Sequence, residues 1–175
     1  MDERRLLRRA TEADAAFIAE MLAEAASWER PAGEPPSPLT DLLAVPQLAD
    51  YFEGWGRTGD DGVVADVDGE PAGACWYRRF TAERPGYGFL SEEIPGLGFG
   101  VAPAHRRRGL GSVLLAAAVD LAREQGIGAL SLSVSERNAI ARRLYERAGF
   151  VVVGREDDSL TMRLDLSGDR GADPA

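Results

Sequence analysis

The pattern that restricts this chain most lies between Gly96 and Leu121. Gly96, Gly98 and Gly100 alternate with Leu97, Phe99 and Val101. A period of two reads as a β-strand, and one face of this strand carries no side chains. Glycine weakens a strand, so repeating it on one face marks close approach, either of a ligand or of another stretch of backbone. The strand leaves through Pro103 into His105-Arg106-Arg107-Arg108-Gly109-Leu110-Gly111. A helix to about Gln125 follows, with Leu110, Val113, Leu114, Ala117 and Leu121 on one face. A helix start carries unpaired N–H groups and partial positive charge; glycines let an anion come close, and arginines add charge-assisted hydrogen bonds. Taken alone, this turn predicts either a bound anion or a plain basic surface loop.

With 175 residues, 45% of them hydrophobic, the chain can bury one substantial core. A single domain over residues 1–166 is expected, with a disordered polar tail over 167–175. The formal net charge of −9 disfavours nucleic acid as a partner and suits cationic amines. The chain has one cysteine, Cys75, and one histidine, His105, which leaves no Cys/His zinc cluster and no intramolecular disulfide. No metal is expected. Neither an apolar leader nor the ~20 apolar residues of a membrane span are visible, so a soluble, cytoplasmic protein with no membrane partner is the expectation.

The remaining punctuation predicts a mixed sheet flanked by helices. A short strand at Leu6–Arg9 is followed by Thr11 and Asp14, spaced like a capping box, and then by a helix to about Trp28. Four prolines between Pro31 and Pro38 impose a loop. Helical sequence follows over Leu39–Trp55, interrupted at Pro46, and a Gly/Asp-rich break at Gly59–Gly62. Val63–Val67 and Pro71–Phe80 flank Asp68-Gly69, a two-residue hairpin turn. Leu130, Leu132 and Val134 alternate with serines as a strand; a helix from Asn138 to Ala148 and strands at Phe150–Val153 and Leu160–Leu166 complete the order.

These residues resemble the GNAT superfamily of acyl-CoA-dependent N-acyltransferases. Arg106, Gly109 and Gly111 match its pyrophosphate motif of Arg or Gln, two residues, Gly, one residue, Gly or Ala. About 30 residues downstream, Asn138-Ala139 through Leu144-Tyr145 to Gly149-Phe150 matches its second signature. The resemblance implies the GNAT fold, a central, mostly antiparallel twisted sheet flanked by helices in the α/β (α+β mixed) class. It also implies acetyl-CoA as co-substrate and direct transfer of the acetyl group to a primary amine.

Carried over by position, backbone N–H groups of Arg107, Arg108, Gly109, Leu110, Gly111 and Ser112 would bind the pyrophosphate, with charge from Arg106 or its neighbours. The backbone of Phe99 and Val101 would pair with the pantetheine arm, and the Val101 N–H would polarise the thioester carbonyl. Asn138 would contact the cofactor arm. Tyr145 would protonate the departing thiolate, although its helical spacing equally fits a core tyrosine. Glu93, Glu92 or water would relieve the amine of its proton.

The resemblance assigns no role to His105, and Cys75 reads as a small buried residue. The acceptor, a small-molecule or peptide amine, would meet the variable segments Trp28–Trp55 and Thr81–Ile94; a homodimer is a further possibility. Two other readings stand beside this one: a CoA-binding regulatory module without turnover, and a nucleic-acid patch built on Arg106–Arg108, which the net charge opposes.

Overall fold

The computed structural model describes residues 3–168. The expected tail lies outside them apart from a turn at Ser167 and Gly168. Seven strands form one sheet: β1 (Arg5–Arg9), β2 (Asp61–Val67), β3 (Glu70–Arg78), β4 (Gly96–Val101), β5 (Ala129–Ser135), β6 (Val151–Glu156) and β7 (Ser159–Asp165). Their order is β1-β2-β3-β4-β5-β7-β6, antiparallel at every junction except β4–β5. The helices are α1 (Ala15–Ala26), α2 (Leu39–Leu43), α3 (Pro46–Ala49), α4 (Leu110–Glu124) and α5 (Ala139–Arg147).

Local chemistry sets the boundaries. The Thr11 N–H donates to Asp14 Oδ2 at 2.7 Å, the reciprocal half of a capping box, ahead of α1. Asp68 and Gly69 both hold positive φ, at 52° and 89°, as the two-residue β2–β3 turn requires. The helical stretch expected over Leu39–Trp55 is shorter than its pattern. It breaks into α2 and α3 around Pro46 and becomes turns after Ala49.

The central strands of the sheet are buried on both faces, while β1 and β6 at its edges are largely exposed. On one, Cys75, Tyr77, Leu97, Leu130, Leu132 and Met162 pack beneath α4 residues such as Leu114 and Ala118. On the other, Val64, Ala74 and Trp76 meet Ile18, Met21 and Leu22 of α1, together with Tyr51 and Phe80. Alternate residues of β3 thus serve both cores.

This second layer answers the question raised by the bare glycine face. A Cβ at Gly96 would stand 2.7 Å from the Phe80 ring, one at Gly98 would fall within the Trp76 indole, and one at Gly100 would meet the Met21 carbonyl at 2.5 Å. The face is filled by the protein itself, with the Trp76 Nε1–H fixed on the Tyr51 carbonyl at 2.9 Å. The glycines let α1 and Trp76 come down onto the strand and leave no space for a ligand on that face.

Burial also sets a pH limit on the fold. Desolvation pushes the Cys75 thiol and the Tyr51 and Tyr145 phenols upward. Folding therefore favours their neutral forms. That stability is complete below the unfolded pKa values, about 8.5 for cysteine and about 10 for tyrosine, and is lost as pH rises beyond them. Denaturant midpoints measured from pH 7 to 11 are expected to hold level and then fall, first through the cysteine range and then through the tyrosine range.

Candidate active site

The site begins where the sheet comes apart. β4 and β5 share only the Gly96↔Ser131 pairing, closed by the Ser131 N–H on the Pro95 carbonyl at 3.0 Å. Beyond that vertex the strands diverge and leave the second half of β4 with an open edge. The Ala102 N–H donates to the Ala72 carbonyl at 2.8 Å, so the even-numbered residues of β4 address β3. By alternation, Phe99 and Val101 direct N–H and C=O into the gap. The gap widens into a cleft of about 870 Å³ that passes between the two faces of the sheet.

At the end of the open edge lies the start of α4. Gly109, its N-cap, holds φ 77°, and Arg107 just before it holds φ 60°. This left-handed pair folds the turn so that Arg107, Gly109, Gly111 and Ser112 line the cleft. The first N–H groups of α4 have no partner in the helix, and Gly111 lets that turn approach Phe99, whose ring would lie 3.2 Å from a Cβ there. The strand edge and the helix start form one continuous polar track.

The three arginines of the turn divide. Arg107 lines the cleft. Arg108 turns away: it pairs with Glu3 at 2.9 Å, and its carbonyl accepts from Arg5 at 3.0 Å. Arg106 lines the cleft, but its guanidinium is committed, with Nε on the Val101 carbonyl at 2.9 Å and Nη2 on Glu24 Oε2 at 2.6 Å. The Leu110 side chain sinks into the core, leaving only its backbone for the site.

α5 supplies the opposite wall. Asn138 caps it, accepting from the Ala141 N–H at 3.2 Å, and it lines the cleft with an amide NH₂ that donates to no group among the described residues. Tyr145 is a core residue that also reaches the cleft. Its ring packs edge-on against Phe99 and Phe150, with centroids 6.2 and 5.9 Å away, and it also lines the cleft. Burial holds its phenol well above the ordinary tyrosine range.

Glu93, expected as the base, needs correction. It is exposed in the turn ahead of β4 and is not among the residues that line the cleft. Pro95 seals the vertex by accepting from Ser131, so residues before it lie beyond the closed end of the gap. Glu92 is occupied in closing its own loop, accepting from the Ala82 N–H at 3.0 Å. The sequence reading missed Glu24, Ser133 and Ser135, which line the cleft on the α1 side beside Trp28, the first residue of the expected acceptor segments. Only the alternating serines of β5 carried a signal; Glu24 is one acid among several on an amphipathic helix. Among the described residues no group of three or more His, Cys, Asp or Glu side chains is placed to hold a metal, and no helix is long and apolar enough to cross a membrane.

A sheet split at its one parallel junction, with a free strand edge leading to a helix start of unpaired N–H groups, defines the class: an α/β acyltransferase fold. The chain belongs to the GNAT acetyltransferase family, whose model matches residues 19–150. Streptothricin acetyltransferase of Streptomyces lavendulae is 34% identical over 134 residues, 66% of this chain and 64% of that protein, so the match spans less than two thirds of the relative's length. Among solved structures, a ribosomal-protein-alanine N-acetyltransferase from Brucella melitensis is 26% identical with a TM-score of 0.66, over 92% of this chain and 99% of that one. A Thermoplasma acidophilum PaiA N-acetyltransferase in complex with coenzyme A shares the fold, at 15% identity and a TM-score of 0.67 over 93% and 99% of the two chains.

Proposed function

We propose that this chain moves an acetyl group from acetyl-CoA directly onto a primary amine. The observation that carries the reading is the open edge of β4, where the N–H and C=O of Phe99 and the N–H of Val101 have no strand partner and stand in line with the unpaired N–H groups of α4, the Val101 carbonyl being held by Arg106 Nε. A pantetheine arm has amides spaced for such an edge, and its pyrophosphate is an anion for such a helix start. Backbone N–H groups from Arg107 to Ser112, with the Arg107 guanidinium, bind the pyrophosphate, and the Asn138 amide meets the arm. An edge N–H of Val101 or Phe99 polarises the thioester carbonyl and takes the charge of the tetrahedral oxyanion, a donor worth about 10²–10³ in rate.

The acceptor nitrogen attacks the thioester carbon, the C–S bond breaks, and the sulfur leaves as a thiolate beside Tyr145. The raised phenol stays protonated throughout the working range. Tyr145 therefore donates a hydrogen bond to the sulfur and passes its proton on only as water replaces it. The amine gives up its proton to water. The one thiol of the chain, Cys75, is fully buried and kept protonated by desolvation, so an acyl-cysteine intermediate has no place in this scheme.

The test is release of free CoA thiol from acetyl-CoA across a panel of small amines and peptides. Turnover with at least one primary amine is expected; tight CoA binding with no turnover on any of them sinks the reading.

A further inference from the structure

Among the described residues Glu24 is the only carboxylate that lines the cleft, and it stands on α1, on the opposite side of the sheet from α4 and α5. A cofactor whose phosphates sit at the start of α4 reaches the gap from the α4 side, so its acyl partner must come from the α1 side. Glu24 is 8% exposed and gripped by two guanidiniums. Arg30 Nη2 and Arg106 Nη2 both donate to it, and both meet the same atom, Oε2. Each arginine is itself tied down. Arg30 Nε donates to the Glu34 carbonyl at 2.7 Å and Nη1 to the Ser27 carbonyl at 3.1 Å, while Arg106 Nε donates to the Val101 carbonyl at 2.9 Å.

The other oxygen, Oε1, accepts no hydrogen bond among the described residues, and it is not one of the sealed, unpartnered atoms of the interior. It therefore keeps some exposure, on a side chain that lines the cleft. Trp28, one turn further along, lines the same wall. Facing them are Ser133 and Ser135, which alternate with Leu132 and Val134 so that the apolar pair enters the core beneath α4 and the hydroxyls face the α1 side.

We infer that Glu24 is the acceptor-binding carboxylate: Oε1 receives an N–H of the incoming amine, Trp28 covers its carbon body and Ser133 stands opposite. The ligand class is a primary amine on an aliphatic or planar carbon body. Arg106 acts through Glu24 as a positioning residue, locking the carboxylate to the cofactor strand, and Arg30 locks it to the loop after α1. This assignment rests on the acetyl-transfer reading above.

The experiment is steady-state thiol release with L-2,4-diaminobutyrate, cadaverine and glycinamide as probes. Glu24→Gln keeps an oxygen for both arginines and removes the charge. It is expected to raise the KM of the amine roughly 10-fold or more, the scale of one charged hydrogen bond, with kcat and the KM for acetyl-CoA near wild type; the thermal midpoint is expected to fall, because Arg30 and Arg106 lose their counter-charge. Glu24→Asp keeps the charge but withdraws it by one methylene, and is expected to raise the amine KM as well. An unchanged amine KM in both variants overturns the assignment while acetyl transfer stands. A rise confined to the acetyl-CoA KM overturns it too, since Glu24 would then act only on the cofactor loop. Wild-type protein that releases no thiol with any amine, although it binds CoA in calorimetry, removes the acetyl-transfer reading and this assignment with it.

Discussion

Tyr145→Phe is expected to lower kcat by about 10²-fold, at the lower end of what a positioned proton donor contributes, and to leave the affinity for CoA unchanged. The ring is part of the packing between Phe99 and Phe150, and phenylalanine preserves both edge-on contacts. Only the hydroxyl goes. Among the described residues it bonds to no protein group, so its removal leaves no orphaned partner and the thermal midpoint holds. The loss should therefore appear in kcat, because the sulfur needs the donor only as the C–S bond breaks. The pH profile adds a second check. Desolvation raises this phenol, so the wild-type rate should show no alkaline decline from Tyr145 at the ordinary tyrosine pKa of about 10. Equal kcat in the two proteins would remove Tyr145 from the chemistry and leave it a core residue.

The largest expected loss of stability comes from a residue outside the cleft. Arg78, at the end of β3, is completely buried. It donates to Asp60 through Nε at 3.0 Å and Nη2 at 2.5 Å, and through Nη1 to the carbonyls of Asp50 and Glu53 at 2.8 Å each. The Trp55 ring covers it at 5.9 Å. One guanidinium thus ties down the turns that follow α3 and hold the Tyr51 and Trp55 layer against the sheet. Arg78→Met takes the guanidinium from the Asp60 carboxylate, which keeps only the N–H groups of Gly56 and Arg57 and a distant Arg57 side chain, and it strands two carbonyls, at a cost of roughly 3–5 kcal/mol in chemical denaturation. Arg78→Met combined with Asp60→Leu is expected to recover part of that loss, because no buried charge then lacks a partner. If the double variant is as unstable as the sum of its single variants, the ion pair is not the reason.

Both residues show what could be read before folding and what could not. Tyr145 was visible because helical spacing and the Asn138 to Phe150 pattern are local in sequence. Arg78 and Asp60 were not. Asp60 sits within a Gly/Asp-rich stretch that reads as a solvated break, yet β2 begins at Asp61 and both aspartates are covered by chain from elsewhere. The same holds for Glu93 and Glu24. Proximity along the sequence favoured the acid near the glycine strand, but the vertex at Pro95 shuts it out, while Glu24 arrives from 75 residues upstream of Phe99 because α1 packs across β4.

The order of strands and helices and the helix start at Gly109 were determined by the sequence alone, since each depends on neighbours a few residues apart: alternation, turn chemistry and unpaired helix-terminal N–H groups. Tertiary structure alone decided what fills the glycine face, which arginine is free and which carboxylate looks into the cleft. Those outcomes depend on which distant side chains compete for the same space and the same charge, and that competition is resolved only when the two layers close on the sheet.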